Sequence, residues 1–231
     1  MLFRSVPAIE KLAPSAGIVD VWLGAGGPPT LERLYYRGER TKQLSVLGTS
    51  ENFAEISFLK LEAGRFFTRA ETERRRNVIV LGQTPYQALF GQAAIDPVGK
   101  QVRLGAMEYT VVGVLSKRPA AGGFNLGQDD LVVIPQTTYQ KQFGIRTLSG
   151  RALGNAGGSL RSLLIAAAPR NDGDRDQLLA ELQEIMRVRH GLKLDEPNDF
   201  DLVTQDAALE VWDQVSSATF LALVEIGRAH V

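Results

Sequence analysis

The side chains that could do chemistry are few. Histidine occurs twice, at His190 and His230, and there is no cysteine in 231 residues. That removes disulfides, thiolate catalysis and cysteine-based metal sites together. His190 ends a run, Arg187-Val-Arg-His190, that reads as the last turn of a helix, where a cation is favoured by the helix dipole without any catalytic role. Asp195, Glu196, Asp199 and Asp201 cluster around Pro197, but their spacing does not match a calcium loop and the internal glycine is missing, so they read as a polar connection. Gly24–Pro29 resembles a phosphate loop only superficially, because Pro28 and Pro29 remove donor N–H groups. Gly99-Lys100-Gln101 lacks the following Ser or Thr and leads into a strand rather than a helix. Arg74-Arg75-Arg76 lies beside Glu71 and Glu73 and reads as a solvated turn. No residue is assigned a catalytic, cofactor-binding or metal-binding role, and no enzyme activity is expected of this chain.

Composition points the same way. Lys plus Arg equals Asp plus Glu at 26 each, so no net field favours nucleic acid. With 44% apolar and 23% charged residues the chain is ordinary for a folded protein. At this length folding buries roughly 70% of the unfolded surface. No stretch reaches the ~20 apolar residues that cross a bilayer as a helix.

The elements that must position any site are legible in outline. Val6–Ala13 reads as a helix with Pro7 in its first turn, Ile18–Leu23 as a strand, and Leu31–Tyr36 and Leu44–Leu47 as further strands. Asn77–Leu81 and Leu131–Ile134 are continuous apolar runs of strand length, which implies burial on both faces. Thr84 is expected to cap a helix with Pro85 at its first position, and Asp96–Gly99 to form a turn with Pro second and Gly fourth. Gln101–Leu104 and Met107–Leu115 flank Gly105-Ala106 as a hairpin, and Thr137–Phe143 is a short helix stopped by Gly144. Ala120–Gln128 and Ser149–Ser159 read as glycine-rich surface loops.

In the last third, Leu160–Ala167 reads as a strand. Leu178, Leu179, Leu182, Ile185 and Met186 then form the apolar stripe of a helix that Gly191 closes. Phe200–Thr204 is expected to be a strand and Ala207–Val224 an increasingly apolar helix. Strand, helix and strand in that order imply a βαβ-like unit, hence an α/β fold. Met1–Ser5 and Glu225–Val231, which includes His230, fit no element and read as translations of a sequencing adapter, so they are expected to be foreign to the fold.

Several segments resemble the periplasmic core of MacB-type ABC transporter permeases, within the MacB/FtsX permease superfamily. Gly48-Thr-Ser-Glu-Asn-Phe53 running into Leu61-Glu-Ala-Gly-Arg-Phe-Phe-Thr68 is similar to that family's G-T-x-x-x-[YF] and L-x-x-G-R-x-[FL] pattern. Val78–Phe90, Asp96-Pro-Val-Gly-Lys100, Tyr109–Leu115 and Arg187–His190 followed by Asn198-Asp-Phe200 follow in the family's order. The resemblance implies a discontinuous porter-like subdomain of residues 6–50 and 158–216, with a smaller α/β subdomain of residues 51–157 inserted in it. It further implies that residues 217–224 begin a truncated membrane helix, and that the domain sits on the periplasmic side of a cell inner membrane. The implied role is to couple ATP-driven conformational change to export or efflux. The implied partners are a cytoplasmic ATP-binding subunit or domain, a second permease copy, a periplasmic adaptor and the membrane itself, with no nucleic acid and no cofactor. The alternatives are a lipoprotein-releasing or adaptor-independent permease domain, or a free-standing soluble ligand-binding module.

Overall fold

Two short apolar runs, Val78–Leu81 and Leu131–Pro135, set the centre of the fold, because every residue in both is buried. The computed structural model describes residues 5–25, 29–91, 95–118, 129–144, 147–148, 160–161 and 163–204. The expected loops at Ala120–Gln128 and Ser149–Ser159, the expected helix at Ala207–Val224 and both outermost ends (1–4 and 225–231) lie outside these residues. Two units divide the chain, residues 1–178 and 179–231.

The first unit begins with α1 (Ser5–Leu12), β1 (Ala16–Leu23), β2 (Leu31–Glu32), β3 (Leu34–Tyr36), β4 (Glu39–Arg40) and β5 (Leu44–Thr49). It continues with α2 (Phe53–Ile56), β6 (Leu61–Gly64), α3 (Arg69–Glu73), β7 (Val78–Leu81) and α4 (Gln83–Tyr86), which runs on as a π-helical turn over Gln87–Gly91. There follow β8 (Gln101–Leu104), β9 (Met107–Leu115), β10 (Leu131–Pro135), α5 (Gln136–Phe143), β11 (Thr147–Leu148), β12 (Leu160–Arg161) and β13 (Leu163–Pro169). Helix α6 (Arg175–His190) starts in this unit and ends in the second.

Eleven of the described strands form one mixed sheet, in the order β13-β1-β5-β10-β7-β9-β8-β3-β4, with β2 on β5 and β6 on β9. β5 pairs with β10, and β7 with β9, in parallel. Both parallel pairs need crossovers, and α2, α3 and α4 lie in those connections. The side-chain period of two then sorts the core into two layers. Ile79, Leu81, Val132 and Ile134 enter one, with Leu104, Tyr109 and Tyr139. Val78, Val80, Leu131 and Val133 enter the other, with Phe53, Phe67 and Leu115. The continuous hydrophobicity of β7 and β10 thus reflects burial on both faces, and the α/β reading holds. β8 alternates exposed and buried, which is the signature of one solvated face.

Helix α5 is held by polar as well as apolar contacts. The Tyr139 and Thr30 hydroxyls are hydrogen-bonded at 2.6 Å, and Gln142 Nε2 donates to the Leu104 carbonyl at 2.9 Å. Tyr109, fully buried, donates its hydroxyl to Gln142 Oε1, and burial pushes its pKa up.

Several local expectations shift. The stretch Leu31–Tyr36 is two strands, because Arg33 breaks it and the halves pair with β5 and β8 respectively. The helix expected from Thr84 starts at Gln83, with Gly82 as its extended cap. The turn expected at Asp96–Gly99 lies one residue later: Lys100 N–H donates to the Pro97 carbonyl, and Gly99 takes the third position with φ +80°. That position of a type II turn requires positive φ, so the glycine rather than the proline sets the register.

Within the second unit α6 closes as expected. Gly191 N–H bonds the Val188 carbonyl and Leu192 N–H bonds the Arg187 carbonyl, the paired bonds of a Schellman cap. Phe200–Thr204 is irregular rather than a strand. The Arg187 guanidinium donates to the Glu196 carbonyl at 2.9 Å, to Asn198 Oδ1 at 2.6 Å and to the Lys193 carbonyl. These bonds bend the chain after α6 back over the helix end.

The contact between β6 and β9 can be tested by mutation. A Cβ on Gly113 would sit 2.4 Å from the Arg65 carbonyl oxygen, whereas one on Gly173 meets nothing within 4 Å. Gly113→Ala is expected to lose about 1–3 kcal/mol of stability, as overpacking does. Gly173→Ala should stay within about 0.5 kcal/mol. Chemical denaturation of the two variants makes the comparison.

Candidate functional site

No residue constellation among the described residues resembles a catalytic centre, so the candidate site is the junction built from the two motif segments, Gly48–Phe53 and Leu61–Thr68. At its heart is Asp20, a carboxylate only 1% exposed in the middle of β1. Its Oδ1 accepts from Val21 N–H at 2.7 Å and from Ser50 N–H at 3.0 Å, and its Oδ2 accepts from Trp22 Nε1 at 2.9 Å. Burial raises its pKa, and the donors from Ser50, Trp22 and Val21 oppose that rise.

Around Asp20 the first motif explains itself. A Cβ on Gly48 would lie 2.4 Å from Tyr139 Cβ, so this glycine lets α5 lie against β5. Ser50 supplies its backbone N–H to Asp20. Asn52 Nδ2 reaches back to the Val19 carbonyl at 3.4 Å, and its own N–H is taken by Ser50 Oγ at 3.1 Å. Phe53 is buried, edge-on to Trp22 with ring centroids 5.3 Å apart. Ser50, Asn52 and Phe53 therefore fasten the end of β5 to β1, while Gly48 seats α5.

The second motif makes a rigid corner. Gly64 has φ +72°, and a Cβ there would come within 2.3 Å of the Val112 carbonyl oxygen. Arg65 clamps Glu71 with both guanidinium nitrogens, each at 2.8 Å. Glu71 accepts Thr68 N–H at 2.8 Å while its own N–H donates to Thr68 Oγ1 at 3.3 Å, which completes a capping box for α3. Phe66 and Phe67 pack at 4.3 Å, with Phe67 in the core.

Of the other residues singled out from sequence, the structure brings His190 and Asp199 together. Arg74–Arg76 close α3 as an exposed turn with Arg75 at φ +53°, and the Arg76 carbonyl accepts Thr138 Oγ1 at 3.0 Å. His190 Nδ1 meets Asp199 Oδ1 at 2.6 Å, and its ring stands edge-on to Phe200 at 5.5 Å. Glu196 accepts Lys193 N–H at 2.8 Å, so two of the four clustered carboxylates serve the loop that follows α6. Of Gly24–Pro29, residues 26–28 lie outside the described residues, and Lys100 is exposed on a turn. Asp20 escapes a search for motifs, yet a signal was present: Ile18-Val-Asp-Val-Trp-Leu23 is a strand with one charge in an otherwise apolar run.

Two outcomes follow from these contacts. Asp20→Ala strands three N–H donors, and a loss of about 1–3 kcal/mol is expected, with a change in tryptophan emission as Trp22 loses its partner. An unchanged denaturation midpoint would contradict the assignment. Glu71 is held down to about 2 from its ordinary 4.5, chiefly by the Arg65 hydrogen bond. The folded state therefore binds this proton less readily than the unfolded chain, and the stabilisation is present above pH 4.5 and lost as pH falls towards about 2. The melting-temperature gap between the wild type and Glu71→Gln should accordingly shrink across that window; a constant gap would count against it.

Comparison with known proteins adds the family. The sequence model of the MacB-like periplasmic core domain matches residues 3–185. Relatives named macrolide export ATP-binding/permease protein MacB are 25% identical over 215 residues in Bdellovibrio bacteriovorus and 37% identical over 94 residues in Chlorobaculum tepidum. These alignments take in 91% and 41% of this chain but only 30% and 14% of the relatives, so the chain spans less than a third of their length. The crystal structure of the periplasmic region of MacB from Actinobacillus actinomycetemcomitans superposes with a TM-score of 0.67 at 19% identity, covering 91% of this chain and 82% of that one. The extracellular domain of the noncanonic ABC-type transporter YknZ from Gram-positive bacteria gives 0.61 at 16% identity, covering 82% and 84%. With a family match over residues 3–185 and the same fold, the chain belongs to the MacB-like periplasmic core domains of ABC transporter permeases.

Proposed function

We propose that this domain transmits ATP-driven conformational change to the far side of a membrane, and so serves export or efflux without catalysing a reaction itself. The observation that carries the reading is the family match over residues 3–185. The relatives' names make macrolide-like compounds the first cargo to try. A buried carboxylate tied to three donors, and a corner where Gly64 and Gly113 bring two backbones into contact, support a stiff module rather than a deformable one. The partners of this reading are a cytoplasmic ATP-binding subunit or domain, a second permease copy and a periplasmic adaptor, with the domain on the periplasmic side of the inner membrane. Residues 6–50 with 158–216 would form the porter-like part and residues 51–157 the insert; the five-residue parallel pairing of β5 with β10 joins these two segments.

The test uses the full-length gene, expressed with its ATPase in an efflux-deficient Gram-negative host. Added protease should cut a tag inserted at the exposed Gly173 only after the outer membrane is opened. Macrolide resistance should require both the domain and an active ATPase. A tag reached only after the inner membrane is lysed would contradict the location. Resistance that survives deletion of residues 6–204 would contradict the role.

A further inference from the structure

One end of the sheet carries an unbalanced set of cations. Tyr35 lies directly opposite Arg40 on β4 and opposite Arg103 on β8, and Arg103 lies opposite Glu108 on β9. Residues directly opposed across strands share a face, so these four form one row across four strands. Leu34, Tyr36, Val102 and Leu104, which alternate with them, are buried, so the row lies on the solvated face. Arg37 and Lys100, both exposed, join Tyr35, Arg103 and Glu108 around an open depression of about 590 Å³. The chain has a formal net charge of zero, yet here Arg37, Arg40, Lys100 and Arg103 stand against the carboxylates of Glu39 and Glu108. None of the four cations makes an ion pair of the kind that holds Lys42, Arg65 or Arg69 among the described residues.

The cations are also pre-positioned. The Arg103 guanidinium lies 4.2 Å from the centre of the Tyr35 ring, and that of Arg37 lies 5.4 Å from the centre of the Tyr36 ring. Arg37 occupies the first central position of a two-residue hairpin turn at φ +47°, with Gly38 following at φ +92°. Asn, Asp or Gly suits that position, and an arginine there is strained. Folding alone is better served by another residue, which points to a use for the guanidinium.

We infer that this face docks an extended acidic segment of a partner protein. Strands lie ~4.8 Å apart, so cations on β4 and β8, either side of β3, are separated by about 10 Å. In an extended chain of polyproline II type three residues complete one turn at ~3.1 Å each, so carboxylates three apart point the same way and lie about 9 Å apart, which matches the row. The backbone donors that would help cradle a compact phosphate here are occupied, Gly99 N–H by the Val111 carbonyl and Lys100 N–H by that of Pro97.

Fluorescence anisotropy with labelled poly-glutamate is the test, at low and high salt, using the chain as it stands. The wild type should bind, and more weakly as salt rises. Lys100→Glu/Arg103→Glu should raise Kd about tenfold or more, since charge-assisted contacts are lost. Tyr35→Ala should weaken binding through loss of the stacking platform. Arg74→Glu/Arg76→Glu changes net charge equally at the exposed turn after α3 and should bind like wild type. A melting curve checks each variant, and Lys100→Gln/Arg103→Gln replaces the reversal if that one unfolds. No binding by wild type, equal losses in the two double variants, or displacement of poly-glutamate by polyphosphate of matched charge would each overturn the inference.

Discussion

The arrangement depends on one buried charge. Asp20 lies within β1, where an uncompensated carboxylate would carry a large desolvation penalty. Three N–H donors offset that penalty, and the one from Ser50 comes from the segment that leaves β5. The carboxylate therefore does more than satisfy itself: it fixes where the chain turns after β5, and with it where Phe53 enters the core against Trp22 and Phe66. A neutral apolar residue at this place would fill the space but would leave the turn without a fixed direction.

A second constraint is steric. Gly64 and Gly113 face one another across β6 and β9, each too close to the other strand's backbone to carry a side chain. Beside them the Arg65–Glu71 clamp and the Thr68 capping box hold α3 against the same corner. Charge, backbone contact and aromatic packing thus converge on the segments that carry the family resemblance. The motif residues are structural fasteners, as the proposed transmission of motion would require, because a soft junction would absorb displacement instead of passing it on.

How far the sequence revealed this varies with the physics. β7 and β10 were legible because burial on both faces demands unbroken apolar runs. The stripe of α6 was legible because Leu178, Ile185 and Met186 follow helical spacing, and they are buried. Short elements were not: α2 and α3 hold four and five residues, too few for a periodic signal, and α3 rests on a cap rather than on propensity. Phe200–Thr204 looks like a strand by composition, but a strand needs a partner, and the chain leading to it is occupied with Arg187 and His190. Asp20 was missed because the donor that ties it to the end of β5, the Ser50 backbone N–H, lies 30 residues away, where no spacing rule reaches. The cation row was equally invisible, since it exists only once β4, β3 and β8 are placed side by side.

The proposed role requires the domain to move as a stiff body. Hydrogen exchange on the full-length permease with its ATPase, with and without ATP, tests it most directly. The amides of β5, β7 and β10 and the Ser50 amide should keep the same protection throughout the cycle, while the domain as a whole changes position. Loss of protection in these strands or at Ser50 when ATP is added would mean that the core opens during the cycle, and the account of a rigid transmitting module would be wrong.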